Sequence, residues 1–378
     1  MKILTILLLI GLSSCIHIRT KIRADKDFKG ISERSFHKHA EDTKLFDTQY
    51  GLIIHGIGPQ KDDYSHKIMK NISNQMNINT TLKRTSLVTG HNKVKLEKTE
   101  YSNPELHKRL VFYSIKWSDL TDSAKMVMIQ NETQLEGAFH GINKPIKKGL
   151  MYCRVSDAFY GQDKNYLGPI LETIDCAYLD IQKEIGGANL NELNLISGSY
   201  GSQIFIRYLY EKQKVSIESA YNEIDTTTRL FESAPLTPLL APAAPESIEA
   251  LFFDHKFKET TLNFYMLTNQ LALMDGHLKE WGGCDPILSR EFRIGGVNAV
   301  ALRNTNDFLC YYLPKETLSK FFQCEDENIT VTNSFYWNIP PLNNPGSAHT
   351  CVFKLKKFAK IVVFGSKSNR VKVLKKRK

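Results

Sequence analysis

Apolar residues along this chain fall into two rhythms. Short, nearly continuous runs occur in "YGLIIHGIG" (Tyr50 to Gly58), "LVFYSIKW" (Leu110 to Trp117), "LNLIS" (Leu193 to Ser197), "LNFYMLTN", "VNAVALRN" and "ITVTNSFYW". Such runs, bounded by turn residues, predict strands covered on both faces. Between them the spacing is helical. Tyr64, Ile68, Ile72 and Met76 lie four apart, and "GPILETIDCAYLDIQKEI" runs from Gly168 until Gly186-Gly187 stops it. "SQIFIRYLYEKQ" sets Ile204, Phe205, Tyr208 and Leu209 on one side. The closing "CVFKLKKFAKIVVF" does the same with residues 351, 352, 355, 358, 359 and 362. Residues 118–150 have helical composition interrupted by glycines. Strands alternating with helices, without an internal repeat, predict an α/β fold: a mainly parallel sheet with helices on both faces. One elaborated domain is expected over residues 49–364. Its proline-rich stretch at about 215–261 ("LAPAAPES") is expected as an inserted lid or cap over the carboxyl edge of the sheet.

Charge changes the picture at the two ends. The formal net charge is +10, but "SKSNRVKVLKKRK" (Ser366 to Lys378) holds seven Lys or Arg and no acid. The rest of the chain therefore carries only +3, and residues 365–378 are expected as a basic tail. Such a tail either lies solvated or holds to anionic surfaces. No nucleic-acid partner is expected. The first residues, "MKILTILLLIGLSSC", combine one lysine, a short apolar run and small residues before Cys15. The run is too short to span a bilayer and has the length of a signal-peptide core, so residues 1–14 are read as one. Leu12-Ser13-Ser14-Cys15 resembles the lipobox of bacterial lipoproteins. The resemblance implies a diacylglycerol on the Cys15 thiol, cleavage before it, and a place in the cell envelope, the outer membrane being favoured by Ile16 in the following position. An ordinary secretory signal is the alternative. The polar stretch 15–48 is then expected as a tether. The remaining cysteines (153, 176, 284, 310, 324 and 351) form no CxxC pair, which removes the usual thiol-metal and redox motifs. Neither a metal nor a cofactor is expected, and the oligomeric state stays open.

The chemistry centres on "NLISGSYGSQIF", three serines and two glycines between a strand and a helix. A nucleophilic serine on such a turn needs small neighbours two before and two after it. Ser197 would have Leu195 as its leading neighbour, and Ser202 would have Tyr200; both are too large. Ser199, flanked by Ser197 and Gly201, fits. "HGIG" at the end of the first long strand offers backbone N–H groups around Gly56 and Ile57. With the N–H of Tyr200 these would form an oxyanion hole. A dinucleotide fingerprint there fails for want of a third glycine.

A base and an orienting acid are then sought downstream. After Ser199 the histidines are His255, His277 and His349. His349, in "NNPGSAHTCVF", lies between the last apolar strand and the closing helix, where it can reach back over the sheet edge. Asp307 directly follows the strand "VNAVALRN"; Asp285 and Asp326 are its competitors. The motifs "HGIG", "ISGSYGS", "ALRNTNDFLCYYLP" and "GSAHTCVF", in this order, resemble those of α/β-hydrolases with lipase or esterase character. The resemblance implies a Ser199–His349–Asp307 triad, an acyl-enzyme intermediate, and hydrolysis of acyl or lipid-type esters. An acyltransferase or thioesterase would use the same triad, and a non-catalytic binding lipoprotein would keep only the fold. Trp117 and Trp337 are read as core residues, and Asp157 as a helix cap.

Overall fold

Ile53 shows how the sheet is built. Leu52 and Ile54 point into one apolar layer while Ile53 points into the other, and all three are buried. The same alternation places Tyr113 and Ile115 opposite Phe112, Leu195 opposite Ile196, and Phe264 and Met266 opposite Tyr265 and Leu267. Side chains of successive strand residues leave opposite faces, so a run apolar at every position serves two cores at once.

The structure is a computed structural model that describes residues 21–24, 27–37, 46–133, 156–209, 211, 260–268, 296–304, 329–334, 356–368 and 371–373. In chain order the described elements are β1 (Lys21–Ala24), β2 (Asp47–Ile54), α1 (His66–Gln75), β3 (Thr81–Leu87), β4 (Lys95–Asn103), β5 (Lys108–Lys116), α2 (Ser118–Thr133), α3 (Ser156–Tyr160), α4 (Lys164–Glu184) and β6 (Glu192–Gly198). Then come α5 (201–209), β7 (Thr261–Leu267), β8 (Val297–Asn304), β9 (Ile329–Ser334), α6 (Lys356–Phe364) and β10 (Val371–Val373). The strands form one sheet in the order β10-β1-β9-β8-β7-β6-β2-β5-β4-β3. From β5 through β2, β6, β7 and β8 to β9 every pairing is parallel. The hairpin β3–β4 extends one side antiparallel, and β1 joins β9 antiparallel on the other.

The protein is thus an α/β chain with a mixed, mainly parallel sheet. Helices α4 and α5 cover one face through Ile170, Ile174, Ile181, Ile204 and Phe205. Helices α1 and α6 cover the other through Ile68, Ile72, Phe358 and Val362. Each fully buried Ile or Phe contributes roughly 1.5–3 kcal/mol relative to exposure, so both layers are needed to hold the sheet. Helix α4 begins at Lys164 with Asp163 as its cap, the carboxylate accepting the Asn165 N–H. It begins four residues earlier than the apolar spacing suggested and passes through Gly168 and Pro169. Pro169 has no N–H to donate to the Asn165 carbonyl, so the helix lacks one intrahelical bond there.

Two expectations about the ends of the domain are corrected. Within the supposed tether 15–48, Lys21–Ala24 is a sheet strand, and Ala24, Phe28 and Ile31 are buried. Within the supposed tail 365–378, Val371–Val373 is strand β10, parallel to β1. The two segments are clasped together. The Ser366 N–H donates to Phe28 O, the Ser32 hydroxyl donates to Val363 O at 2.7 Å, and Lys367 pairs with Glu33. Backbone meets backbone at Gly30 and Gly365: a Cβ on Gly30 would stand 2.2 Å from Val363 O, and one on Gly365 2.2 Å from Phe28 O. Polar composition hid these segments because they bury mostly backbone, with only a few apolar side chains. The hairpin β3–β4 was not read from the sequence either; its strands carry alternating charge instead of an apolar run.

A topological switch lies between β2 and β6. After β2 the chain moves to β5 on one side; later it returns to place β6 on the other. Loops leaving the carboxyl ends of two such strands diverge and leave a crevice, the usual ligand position in open α/β sheets. The turn after β2 carries His55-Gly56, and the turn after β6 carries Ser199.

Candidate active site at the switch point

Strand β6 ends at Gly198, and α5 begins at 201, leaving only Ser199 and Tyr200 to reverse the chain. That economy forces Ser199 to φ +51°. L-residues other than Gly, Asn and Asp seldom adopt this left-handed conformation, and it costs on the order of 1–2 kcal/mol. The turn is held by the Ser199 N–H donating to Leu267 O at 2.8 Å, which ties it to the end of β7. Ser199 is 4% exposed, and its Oγ has no hydrogen-bond partner among the described residues. An unpaired buried hydroxyl costs free energy, and backbone strain of this kind concentrates at functional sites.

The small neighbours demanded by the turn serve definable purposes. A Cβ on Gly201 would come within 2.7 Å of His55 O and 2.8 Å of Ile54 Cγ2, so the first turn of α5 lies directly on the end of β2. Ser197 has its Oγ 2.7 Å from that of Ser202, both fully buried. This inward bond keeps the serine in the leading position out of the turn, which is how it stands in for glycine. Gly56 closes the other side. A Cβ there would lie 2.5 Å from Ser199 Cβ, 2.7 Å from Gly198 O and 3.1 Å from Ser199 Oγ. The two loops are therefore in close contact at Gly56 and Gly198–Ser199.

His55 fixes the first loop. Its Nδ1 lies 2.6 Å from Gly56 O, and its Nε2 accepts the Trp117 N–H at 3.0 Å. An acceptor role for Nε2 leaves the proton on Nδ1, which donates to the Gly56 carbonyl. The ring stacks on Trp117 at 5.0 Å, and the Trp117 indole N–H returns a bond to His55 O. Burial pushes the imidazole down to about 3, so it is neutral at physiological pH and serves as a clamp. In a trans peptide C=O and N–H point oppositely. With Gly56 O turned to the ring, the Ile57 N–H points away from it. One residue on, Gly58 (φ +93°) donates its N–H to Asp157 Oδ2 at 2.6 Å. Both peptides flanking Ile57 are thus oriented by side chains. Trp117 is the core residue it was read as, with the added task of holding His55.

At the second loop, the Tyr200 and Gly201 N–H groups open α5, where a helix leaves its first donors without intrahelical acceptors. The positive end of the helix dipole favours negative charge there. The Tyr200 side chain is buried, tilted toward Trp117 and donating to Ala158 O at 3.3 Å. Beside it a cavity of about 140 Å³ is lined by Gly161, Gln162, Leu167, Tyr200, Gln203 and Arg207, among others.

His349 and Asp307 lie outside the described residues, as do their competitors His255, His277, Asp285 and Asp326, the segment 215–259 of the expected insertion, Trp337, and Cys15 with the first 20 residues. Among the six cysteines after Cys15, Cys176 is described and is a free thiol. No helix among the described residues is long and apolar enough to cross a membrane.

No family model, curated protein or solved structure matches the chain. The site's meaning therefore rests on its own geometry.

Two features escaped the sequence reading. Asp157 is not a simple helix cap: it is fully buried, receiving Gly58, Thr121 and Lys125. Thr268, at the end of β7, has φ +58° and donates its hydroxyl to Leu267 O, the carbonyl that also receives Ser199. No local signal marks either residue, because both roles are defined by partners distant in sequence.

Proposed function

We propose that the chain is a serine hydrolase that cleaves carboxylic esters of lipid type, with Ser199 as nucleophile. The observation that carries this reading is the strained, buried and unpaired Ser199 hydroxyl, pressed against Gly56 at the switch point of the sheet. A sharp strand-to-helix turn with a backbone donor after the serine and another from a preceding strand's loop is the nucleophile arrangement of α/β-hydrolases. The parallel run β5-β2-β6-β7-β8-β9, with the serine after its third strand in chain order, supports the same fold family.

In this reading Ser199 Oγ attacks the ester carbonyl while His349 accepts its proton. The tetrahedral oxyanion is held by the N–H groups of Ile57 and Tyr200, with Gly56 leaving them room. His349 then protonates the leaving alkoxide, and water hydrolyses the acyl-enzyme by the same steps. Asp307 orients His349 and stabilises its charged form. Asp307 is three residues beyond β8, which is two strands from β6, or about 10 Å across the sheet. His349 follows β9, one strand further. Strands β8 and β9, which precede these two residues in the chain, end at the same carboxyl edge as β6. Segment 215–259 is assigned to the lid, its expected end at 261 giving way to β7, which starts at Thr261; lipidated Cys15 is assigned to an anchor that keeps the enzyme at the cell envelope.

A fluorophosphonate probe should label the wild type at Ser199, and Ser199→Ala should abolish both labelling and turnover of short p-nitrophenyl esters. A wild type inert to the probe and to these esters would overturn the catalytic reading in favour of a binding protein. Transfer of the acyl group to an added alcohol in preference to water would make it an acyltransferase. Membrane fractionation of Cys15→Ser tests the anchor, the expected result being release.

A further inference from the structure

Asp157 is fully buried, and so, nearly, is its ammonium partner. Its Oδ1 lies 2.5 Å from Lys125 Nζ and 2.7 Å from the Thr121 hydroxyl; its Oδ2 accepts the Gly58 N–H at 2.6 Å. Lys125 also reaches Asp122 at 3.2 Å. Removing two charges from water costs several kcal/mol per ion, and apolar replacements of buried pairs often match them in stability. Overall stability is therefore a poor reason for this pair to sit under the loop after β2.

Its position supplies a better one. The short helix α3 touches both loops of the candidate oxyanion hole. Through Asp157 it holds the Gly58 amide, next to Ile57. Through Ala158 O it receives the Tyr200 hydroxyl, and a Cβ on Gly161 would come within 2.5 Å of the Tyr200 ring. The loop after β2 thus has the Gly56–Ile57 peptide, which carries the Ile57 N–H, oriented by His55, and the next peptide oriented by Asp157. The loop after β6 carries the Tyr200 N–H, and its side chain rests on the same helix. Lys125 and Thr121 carry the remaining interactions of the carboxylate and hold it in one rotamer.

Resting on the serine-hydrolase reading above, we propose that Asp157 is a positioning residue for the oxyanion hole, with α3 setting the distance between its two backbone donors. Donors held in place before the reaction act on charge that develops only in the transition state. Loss of the positioning residue should therefore lower kcat and leave KM nearly unchanged.

The test uses paired variants, because removing Asp157 alone would strand a buried ammonium group and unfold the site. Asp157→Leu with Lys125→Met removes the charges and the acceptor for Gly58 together. Asp157→Asn with Lys125→Met removes the charges but keeps an acceptor oxygen. Both are compared with wild type in urea unfolding, in p-nitrophenyl ester kinetics, and in backbone hydrogen exchange of the 55–58 loop. The leucine variant should stay folded, lose kcat by at least about tenfold with KM changed less than about threefold, and exchange faster at Gly58. The asparagine variant should recover kcat to within about threefold of wild type. A folded leucine variant with wild-type kcat would overturn the positioning role while Ser199 labelling stays intact. Equal loss of kcat in both variants would overturn it too, since the charge and not the loop contact would then matter. A wild type that Ser199-directed probes fail to label would instead overturn the hydrolase reading and this role with it.

Discussion

Protonating His55 would replace the acceptor at Nε2 by a donor facing the Trp117 N–H, and would bring a charge into a buried site. The folded protein resists this, holding the imidazole near 3 where an unfolded chain has the ordinary value of 6.5. The consequence has a definite sign. Above pH 6.5 neither state carries the proton, and the stabilisation is complete. Below it the unfolded chain takes up a proton that the folded chain refuses, so stability falls until the pH reaches about 3. Linkage gives a loss of about 2 kcal/mol from this residue between pH 8 and pH 5, approaching about 1.4 kcal/mol per further pH unit. The assay is urea unfolding followed by circular dichroism at pH 8, 7, 6 and 5, for wild type and His55→Gln. Glutamine keeps an acceptor within reach of the Trp117 N–H but does not titrate. The variant should be less stable at pH 8, having lost the ring stack and the bond to Gly56, yet its decline to pH 5 should be shallower by about 2 kcal/mol. Nitrogen NMR of the imidazole should show the Nδ1–H tautomer persisting to pH 4. Parallel declines for the two proteins, or a His55 ring that titrates near 6.5, would refute the clamp.

Three further perturbations follow from backbone contacts. Gly56→Ala drives a methyl group to within 2.5 Å of Ser199 Cβ; ester turnover should fall about 100-fold, with a stability loss of roughly 1–3 kcal/mol measured in urea. Ser199→Gly should abolish turnover and yet raise stability by about 1 kcal/mol, because glycine adopts φ +51° without strain; the check is the midpoint of thermal unfolding against Ser199→Ala. Gly30→Ala, whose Cβ would meet Val363 O at 2.2 Å, should cost about 2–3 kcal/mol and loosen the clasp between the chain ends, read as faster hydrogen exchange in both segments.

Much of the architecture can be read from local pattern. The runs at "YGLIIHG", "LVFYSIKW", "LNLIS", "LNFYML" and "VNAVALRN" are strands with bounds shifted by at most three residues, because a strand buried on both faces must be apolar throughout. Steric limits on a two-residue turn select Ser199 over Ser197 and Ser202 before any coordinates are consulted, since Leu195 and Tyr200 are too large for the flanking positions. Gly201 follows from the same argument about space, whereas the close approach at Gly56 is set by the tertiary structure. What local pattern does not contain is the identity of partners far along the chain. Residues 21–37 read as polar linker, yet Phe28 and Ile31 are buried against the C-terminal segment, and β1 and β10 pair across about 350 residues. His55 enters the sequence reading only as part of "HGIG"; the Trp117 N–H at 3.0 Å and complete burial make it a neutral clamp. Asp157 reads as a helix cap because its sequence neighbours allow one, whereas Lys125, Thr121 and Gly58 decide otherwise. The sequence by itself determined which segments are strands and helices and which serine can occupy the turn, because those depend on a residue and its near neighbours. The tertiary structure decided which groups face each other across loops, and so which are charged, which are held and which are left unpaired. Those properties depend on desolvation and hydrogen-bond geometry, which exist only once distant segments meet.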